Sequence, residues 1–207
     1  MIKIVTMLWD KNDESYGFSS MYTEAWVEKL YRGVKRNLTQ PFEFICYVDR
    51  ERQFSEPIRQ MQIRNDPPSY CDYTQPYELN EPMILMGLDT IIIGNIDHLA
   101  DYCFTADKLA VPAAIYRPNT VCNAVALVPA GQKWVFDGWK GENDMEVMRR
   151  HYAAKRIDML DEVFPGEIVS YKKHVKPNGL RNARIVFFHG EEKAHQLNLS
   201  WIRENWV

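Results

Sequence analysis

The sequence predicts an α/β domain of the doubly wound kind, and three observations predict it. Ile2–Leu8 is a short apolar stretch rich in Ile and Val, as in a buried strand. Trp26, Leu30, Val34 and Leu38 recur at every fourth position, with Val27 and Tyr31 beside them, as in an amphipathic helix. Phe42–Val48 then returns to a strand pattern. Strand, helix, strand with a polar loop after each strand is the repeating unit of doubly wound sheets, which take ligands at the carboxyl ends of their strands.

The remaining elements follow in order. Residues 10–20 form a polar loop containing Gly17; Ser20 is the expected helix cap, with Glu24 near the positive helix end. Lys29, Arg32, Lys35 and Arg36 make the solvated face, and Pro41 ends the helix region. Residues 49–52 (Asp-Arg-Glu-Arg) stop the second strand. Residues 55–79 hold Pro57, Pro67, Pro68 and Pro76 and read as a long surface loop with a short strand at 61–64. Two apolar runs, Met83–Met86 and residues 90–93, flank Gly87-Leu88-Asp89, and Gly94-Asn95 turns the chain into another element. A strand is expected over 121–128, with Asn123 its one polar member. Trp134, Val135 and Trp139 mark a packed short helix or turn. Asn143 and Glu146 have capping-box spacing ahead of a helix that pairs Val147 with His151. Ile168-Val169 and residues 184–188 are late strands. The tail 196–207 seals against the body through Leu197, Leu199, Ile202, Trp201 and Trp206. With no repeat, low-complexity tract or linker, residues 1–207 are expected to form a single domain.

Composition narrows the function. Of 207 residues 46% are hydrophobic and 26% charged, enough to fill a core and incompatible with disorder. The net charge of -3 disfavours a protein held to nucleic acid by its overall field. Cys46, Cys71, Cys103 and Cys122 show no CxxC spacing, which favours a reducing, cytoplasmic setting with the thiols buried. No apolar run approaches a membrane span, and no secretory signal is expected. Phosphate-binding GxxxxGK[ST] and dinucleotide-binding GxGxxG loops are absent, as is a GxSxG serine elbow.

Three features carry chemistry. Asp89 is a carboxylate between two apolar runs, expensive to bury unless paired, hydrogen-bonded or metal-bound. Two roles are open to it on these grounds: a strand-end acceptor for backbone N–H groups, or a ligand in a site. The segment His189-Gly190-Glu191-Glu192-Lys193-Ala194-His195 follows an apolar strand and concentrates two imidazoles and an ammonium, suited to a divalent ion and to phosphate oxygens. Lys172, Lys173, His174 and Lys176, followed by Arg181 and Arg184, form the most basic stretch. It is open to two readings, a solvated loop or one wall of an anion cleft.

In order and spacing, several segments resemble the GT-A-fold nucleotide-sugar glycosyltransferases, the bacterial and phage relatives of the glycogenin and galactosyltransferase group. They are residues 30–38 (LYRGVKRNL), 41–44 (PFEF) with Asp49, 87–97 (GLDTIIIGNID), 123–125 (NAV), 170–172 (SYK) and 188–193 (FHGEEK). The resemblance implies a Rossmann-like fold with a central mixed, mostly parallel sheet flanked by helices. It also implies transfer of a hexose from a nucleotide sugar, a UDP-sugar foremost, to a hydroxyl acceptor. It places Asp89 as the second carboxylate of the family's metal-binding pair, with Gly87 where the first belongs. His189 becomes a second ligand to Mn²⁺ or Mg²⁺, and Lys193, on the loop with Gly190, the diphosphate-binding lysine. Asp49 falls near the nucleotide, and Asn123 and Asp144 near the donor sugar. Two alternatives accompany this reading. One is a glycosyltransferase-like binding protein whose turnover was lost with the first carboxylate. The other is a phage-type enzyme acting on modified DNA bases, which the net acidic charge disfavours.

Overall fold

The computed structural model describes residues 1–117 and 119–207. Its main sheet is built outward from β1 (Ile2–Leu8). That strand lies parallel to β2 (Phe42–Val48) on one side and to β4 (Met83–Met86) on the other, and β3 (Arg59–Gln62) extends the parallel set beyond β2. On the far side β7 (Val125–Val128) runs antiparallel to β4, followed by the two-residue strands β6 (Ala110–Val111) and β8 (Asp158–Met159). The strand order is β3-β2-β1-β4-β7-β6-β8. This is the mixed, mostly parallel sheet expected.

Because side chains alternate across a strand, each central strand supplies both faces of the sheet. Ile4, Leu8, Phe44, Ile84 and Met86 point to one face, where they meet Trp26, Leu30 and Val34 of α1 (Glu24–Asn37) and Leu99 of α2 (Asp97–Thr105). Val5, Met7, Ile45, Tyr47 and Leu85 point to the other. That face is covered by Tyr77, by Val135 of α3 (Trp134–Asp137) and by Val147 of α4 (Asp144–Ala153).

The covering of the second face corrects the surface-loop reading of residues 55–79. Tyr70–Leu79 winds as successive 3₁₀ turns and buries Tyr77 almost completely. Its prolines and polar residues disguise a packing segment whose apolar area comes from tyrosines. Three boundaries also shift. Ser20 lies in a 3₁₀ turn over Gly17–Met21, and Thr23 occupies the cap position of α1. The third strand begins at Arg59 rather than 61. Of the run 121–128 only Val125–Val128 pairs continuously, Val121 forming an isolated bridge with Ala113.

A second, three-stranded sheet stands beside the first. Its middle strand β10 (Ile185–Phe187) runs antiparallel to β5 (Thr90–Ile92) and parallel to β9 (Ile168–Ser170). The chain therefore leaves the main sheet at Met86 and enters the small one at Thr90, with Gly87-Leu88-Asp89 as the bridge. The short helices α5 (Leu160–Val163) and α6 (Lys176–Asn178) connect the later elements. In α7 (Ser200–Asn205) and the residue after it, Trp201 and Trp206 seal the tail, Trp206 meeting Trp26 edge-on at 4.7 Å between ring centres. Cys46, Cys103 and Cys122 are buried and all four cysteines are free.

His151 of α4 gives the fold a pH dependence. It is 3% exposed, packs edge-on against Trp134, and its Nε2 has no hydrogen-bond partner among the described residues. Burial pushes its pKa down from 6.5 to about 4. As pH falls below 6.5 the unfolded chain takes up a proton that the folded chain refuses, so stability is lost between about 6.5 and 4. A His151→Met variant removes this drain. Relative to wild type it should gain about 2 kcal/mol between pH 7.5 and pH 4.5 in urea unfolding, and an unchanged difference would contradict the assignment.

Candidate active site

The bridge between the sheets forms the floor of a cavity of about 720 Å³ beside the carboxyl ends of β1 and β4. Its backbone is held from two sides. Gly87 N–H donates to the carbonyl of Ala124 at 3.1 Å, and the carbonyl of Asp89 accepts from Phe188 N–H at 2.9 Å. The second bond ties the bridge to the segment that follows β10, so Asp89 and the loop 187–193 are brought face to face.

Asp89 is engaged by side chains rather than left as a backbone acceptor. Its Oδ2 accepts from the Tyr22 hydroxyl at 3.1 Å and from the Lys193 ammonium in a close ion pair. Lys193 is only 1% exposed. Burial, with the Asp89 charge adding to it, holds the Tyr22 hydroxyl far above the ordinary tyrosine range. Opposite, a Cβ placed on Gly87 would stand 3.0 Å from Asp89 Oδ1.

His189 and Gly190 line the same cavity. Both ring nitrogens of His189 are hydrogen-bonded, Nε2 with the Tyr116 hydroxyl at 3.0 Å and Nδ1 with Ser170 Oγ at 3.3 Å. Burial, then the Lys172 and Lys193 charges, lowers its pKa to about 4, so the imidazole is neutral at pH 7. Gly190 has φ +66, a left-handed conformation costly for other residues, and a Cβ there would lie 3.2 Å from Lys172 Nζ. The rest of the basic stretch disperses instead of forming a wall. Lys176 pairs with Glu192 at 2.8 Å, and Arg184 packs on Gly94.

Asn123 and Asp144 form a second polar pair on the cavity wall. Asn123 Nδ2 donates to Asp144 Oδ2 at 3.1 Å, while Asn123 Oδ1 is buried with no partner among the described residues. Burial raises the Asp144 carboxyl to about 6, against the lowering effect of the Asn123 hydrogen bond. Asp49 stands apart from the cavity lining. Its Oδ1 binds Arg52 Nη2 at 2.6 Å and its Oδ2 accepts from Asp10 N–H at 2.9 Å. Arg52, 3% exposed, also reaches Asp10 and Glu24, so one buried guanidinium gathers three carboxylates.

Sequence reading overlooked the aromatic wall. Trp9, Tyr16, Phe18, Tyr70 and Tyr73 line the cavity in a chain of ring contacts, Tyr16 on Tyr70 at 4.9 Å and Trp9 on Tyr70 at 5.5 Å. Two aromatics, Tyr16 and Phe18, in an otherwise polar loop at a strand's carboxyl end were the available signal.

The divalent ion expected between Asp89 and His189 does not fit this donor set. Position 87 offers no ligand, the Asp89 carboxylate is already neutralised by Lys193, and the His189 nitrogens are committed to hydroxyls. Among the described residues no three His, Cys, Asp or Glu side chains converge as a metal site.

Neither a protein-family model nor a curated protein matches the sequence. Solved structures do match the fold. The glycosyltransferase GlyE of Streptococcus pneumoniae TIGR4 superposes with a TM-score of 0.63 at 10% identity over 97% of this chain. The chain spans 58% of GlyE's length. An active-site mutant of LgtC gives a TM-score of 0.62 at 9% identity, covering 98% of this chain and 93% of LgtC. The galactosyltransferase LgtC in complex with donor and acceptor sugar analogs gives 0.57 at 9% identity, covering 93% and 88%. Among the described residues no helix is long and apolar enough to cross a membrane. By its sheet order and these superpositions, the chain has the GT-A fold.

Proposed function

We propose that this chain transfers a hexose from a nucleoside-diphosphate sugar, with UDP as the favoured nucleotide, to a hydroxyl acceptor. The observation that carries the reading is one cavity holding two different polar pairs. Lys193 with Asp89 suits a diphosphate, and Asn123 with Asp144 suits sugar hydroxyls. The orphaned Asn123 Oδ1 is an acceptor waiting for a donor, and a sugar hydroxyl supplies one. The aromatic wall adds flat apolar faces for rings to lie against.

In the reaction the bond from the sugar's anomeric carbon to the diphosphate oxygen breaks, its electron pair staying on that oxygen. A bond to the acceptor oxygen forms, and the acceptor's hydroxyl proton is lost to solvent. Charge develops on the leaving diphosphate, where the Lys193 ammonium stabilises it. Asp144, ionised above about pH 6, holds sugar hydroxyls as a charged acceptor.

Incubating the protein with UDP-glucose, UDP-galactose and UDP-N-acetylglucosamine and measuring UDP release tests the reading. Slow release from at least one donor is expected, falling as pH drops through about 6, with that limb absent in Asp144→Asn. No UDP binding and no release from any donor would sink it. The glycine at position 87 favours a second reading, binding without turnover, which UDP binding with no release would select.

A further inference from the structure

We infer that this cavity takes a diphosphate without a divalent cation, the Lys193 ammonium supplying the positive charge and Asp89 holding it in place. The inference rests on the nucleotide-sugar reading and goes beyond it by naming what meets the phosphates.

Lys193 is built for the task. Its side chain is almost wholly buried, and among the described residues its one ion-pair partner is Asp89. The rings of Phe18 and Tyr22 lie 4.9 and 5.9 Å from Nζ, adding two π faces that attract the charge. An ammonium carries three N–H donors, and Asp89 takes one. Both residues line the cavity, so the remaining donors are free to meet phosphate oxygens.

Asp89 is committed to that arrangement. Tyr22 and Lys193 both donate to Oδ2, and Oδ1 sits where a side chain at position 87 would press on it. Glycine is thus more than a missing ligand: a side chain at position 87 would make Asp89 Oδ1 give way by a few tenths of an ångström. A second carboxylate there would crowd the first. A divalent cation on Asp89 would face the ammonium across a single carboxylate, and like charges that close in a partly buried site repel strongly. Among the described residues Lys193 has no second acid to retreat to. Asp89 is accordingly a positioning residue that acts through Lys193. Lys193 is the catalytic residue, stabilising the leaving diphosphate as the anomeric bond breaks.

Calorimetric titration of metal-stripped protein with UDP and with inorganic pyrophosphate, in EDTA and again with Mn²⁺, tests this directly. Both probes should bind in EDTA, with affinities shifting less than about threefold on adding Mn²⁺. Lys193→Met should weaken both about thirtyfold or more. The neutral double variant Asp89→Asn/Lys193→Met should fold, as judged by circular dichroism, and remain equally weak, which separates loss of the anion site from loss of the fold. Mn²⁺ electron paramagnetic resonance should show no ion taken up by the protein. Binding that needs Mn²⁺, Mn²⁺ uptake abolished by Asp89→Asn, or unchanged affinity in Lys193→Met would each overturn the inference. If pyrophosphate binds through Lys193 in EDTA while UDP and every UDP-sugar are ignored, the metal-free anion site stands and the nucleotide-sugar reading alone falls. If neither probe binds under any condition, both fall.

Discussion

The Asp89→Ala variant should lose about 3 kcal/mol of unfolding free energy at pH 7, and adding Lys193→Met should restore most of it. Among the described residues Asp89 is the sole ion-pair partner of a lysine that is 1% exposed. Removing one member of a buried pair costs about 3–5 kcal/mol, because the charge left behind is neither hydrated nor neutralised. The partial exposure of Asp89 places this site toward the lower end. Replacing both members removes the stranded charge and leaves an apolar side chain of similar length against Phe18 and Tyr22. Urea unfolding of the two single variants and the double variant closes the cycle. Equal losses in Asp89→Ala and in the double variant would show that a stranded Lys193 charge is not the source of the loss, and a double loss equal to the sum of the single losses would mean that the pair contributes nothing.

Arg52→Met is expected to be comparably severe, about 3 kcal/mol at pH 7, and in this case the loss should depend on pH. The buried guanidinium holds Asp10, Glu24 and Asp49 together, and without it three carboxylates repel one another. Hydrogen bonding from Arg50, with Arg52 adding to it, keeps Asp10 below the ordinary carboxylate range. Glu24 is kept low first by its own backbone N–H and then by Arg52. Carboxyls with depressed folded pKa values contribute stability above their unfolded values near 4 and lose it as pH falls through the folded ones. The gap between wild type and variant should therefore narrow below about pH 4. A gap that stays constant from pH 7 to pH 3 would show that Arg52 matters through packing, not charge.

Much of the architecture was legible because it is written in local periodicity. The apolar runs at Ile2–Leu8 and Phe42–Val48 and the four-residue spacing of α1 appear as predicted. So does the Asn143 cap, whose side chain accepts from Glu146 N–H. The strands β6 and β8 were illegible because two residues carry no period. The bridge was misleading in another way. The runs before and after Asp89 look alike in sequence, yet one belongs to the main sheet and the other to the small one, and only partners far along the chain decide that. At the site, the chemistry-bearing positions Asp89 and Lys193 could be singled out one at a time. Their direct pairing, and the part played by Tyr22, are tertiary facts that no spacing encodes.

The placement of the bridge also has a kinetic meaning. Asp89 and Lys193 are 104 positions apart, and β5 pairs with a strand that follows β6 to β9 in the chain. A chain emerging in order can assemble β1, β2 and β4 early, but β5 must wait without a ladder partner and Asp89 without its cation. Such long loop closures come late in folding because their entropy is lost before their contacts reward it. The anion site proposed above therefore depends on the pairing of β5 with β10. A ligand present at that moment pulls the equilibrium toward the finished molecule.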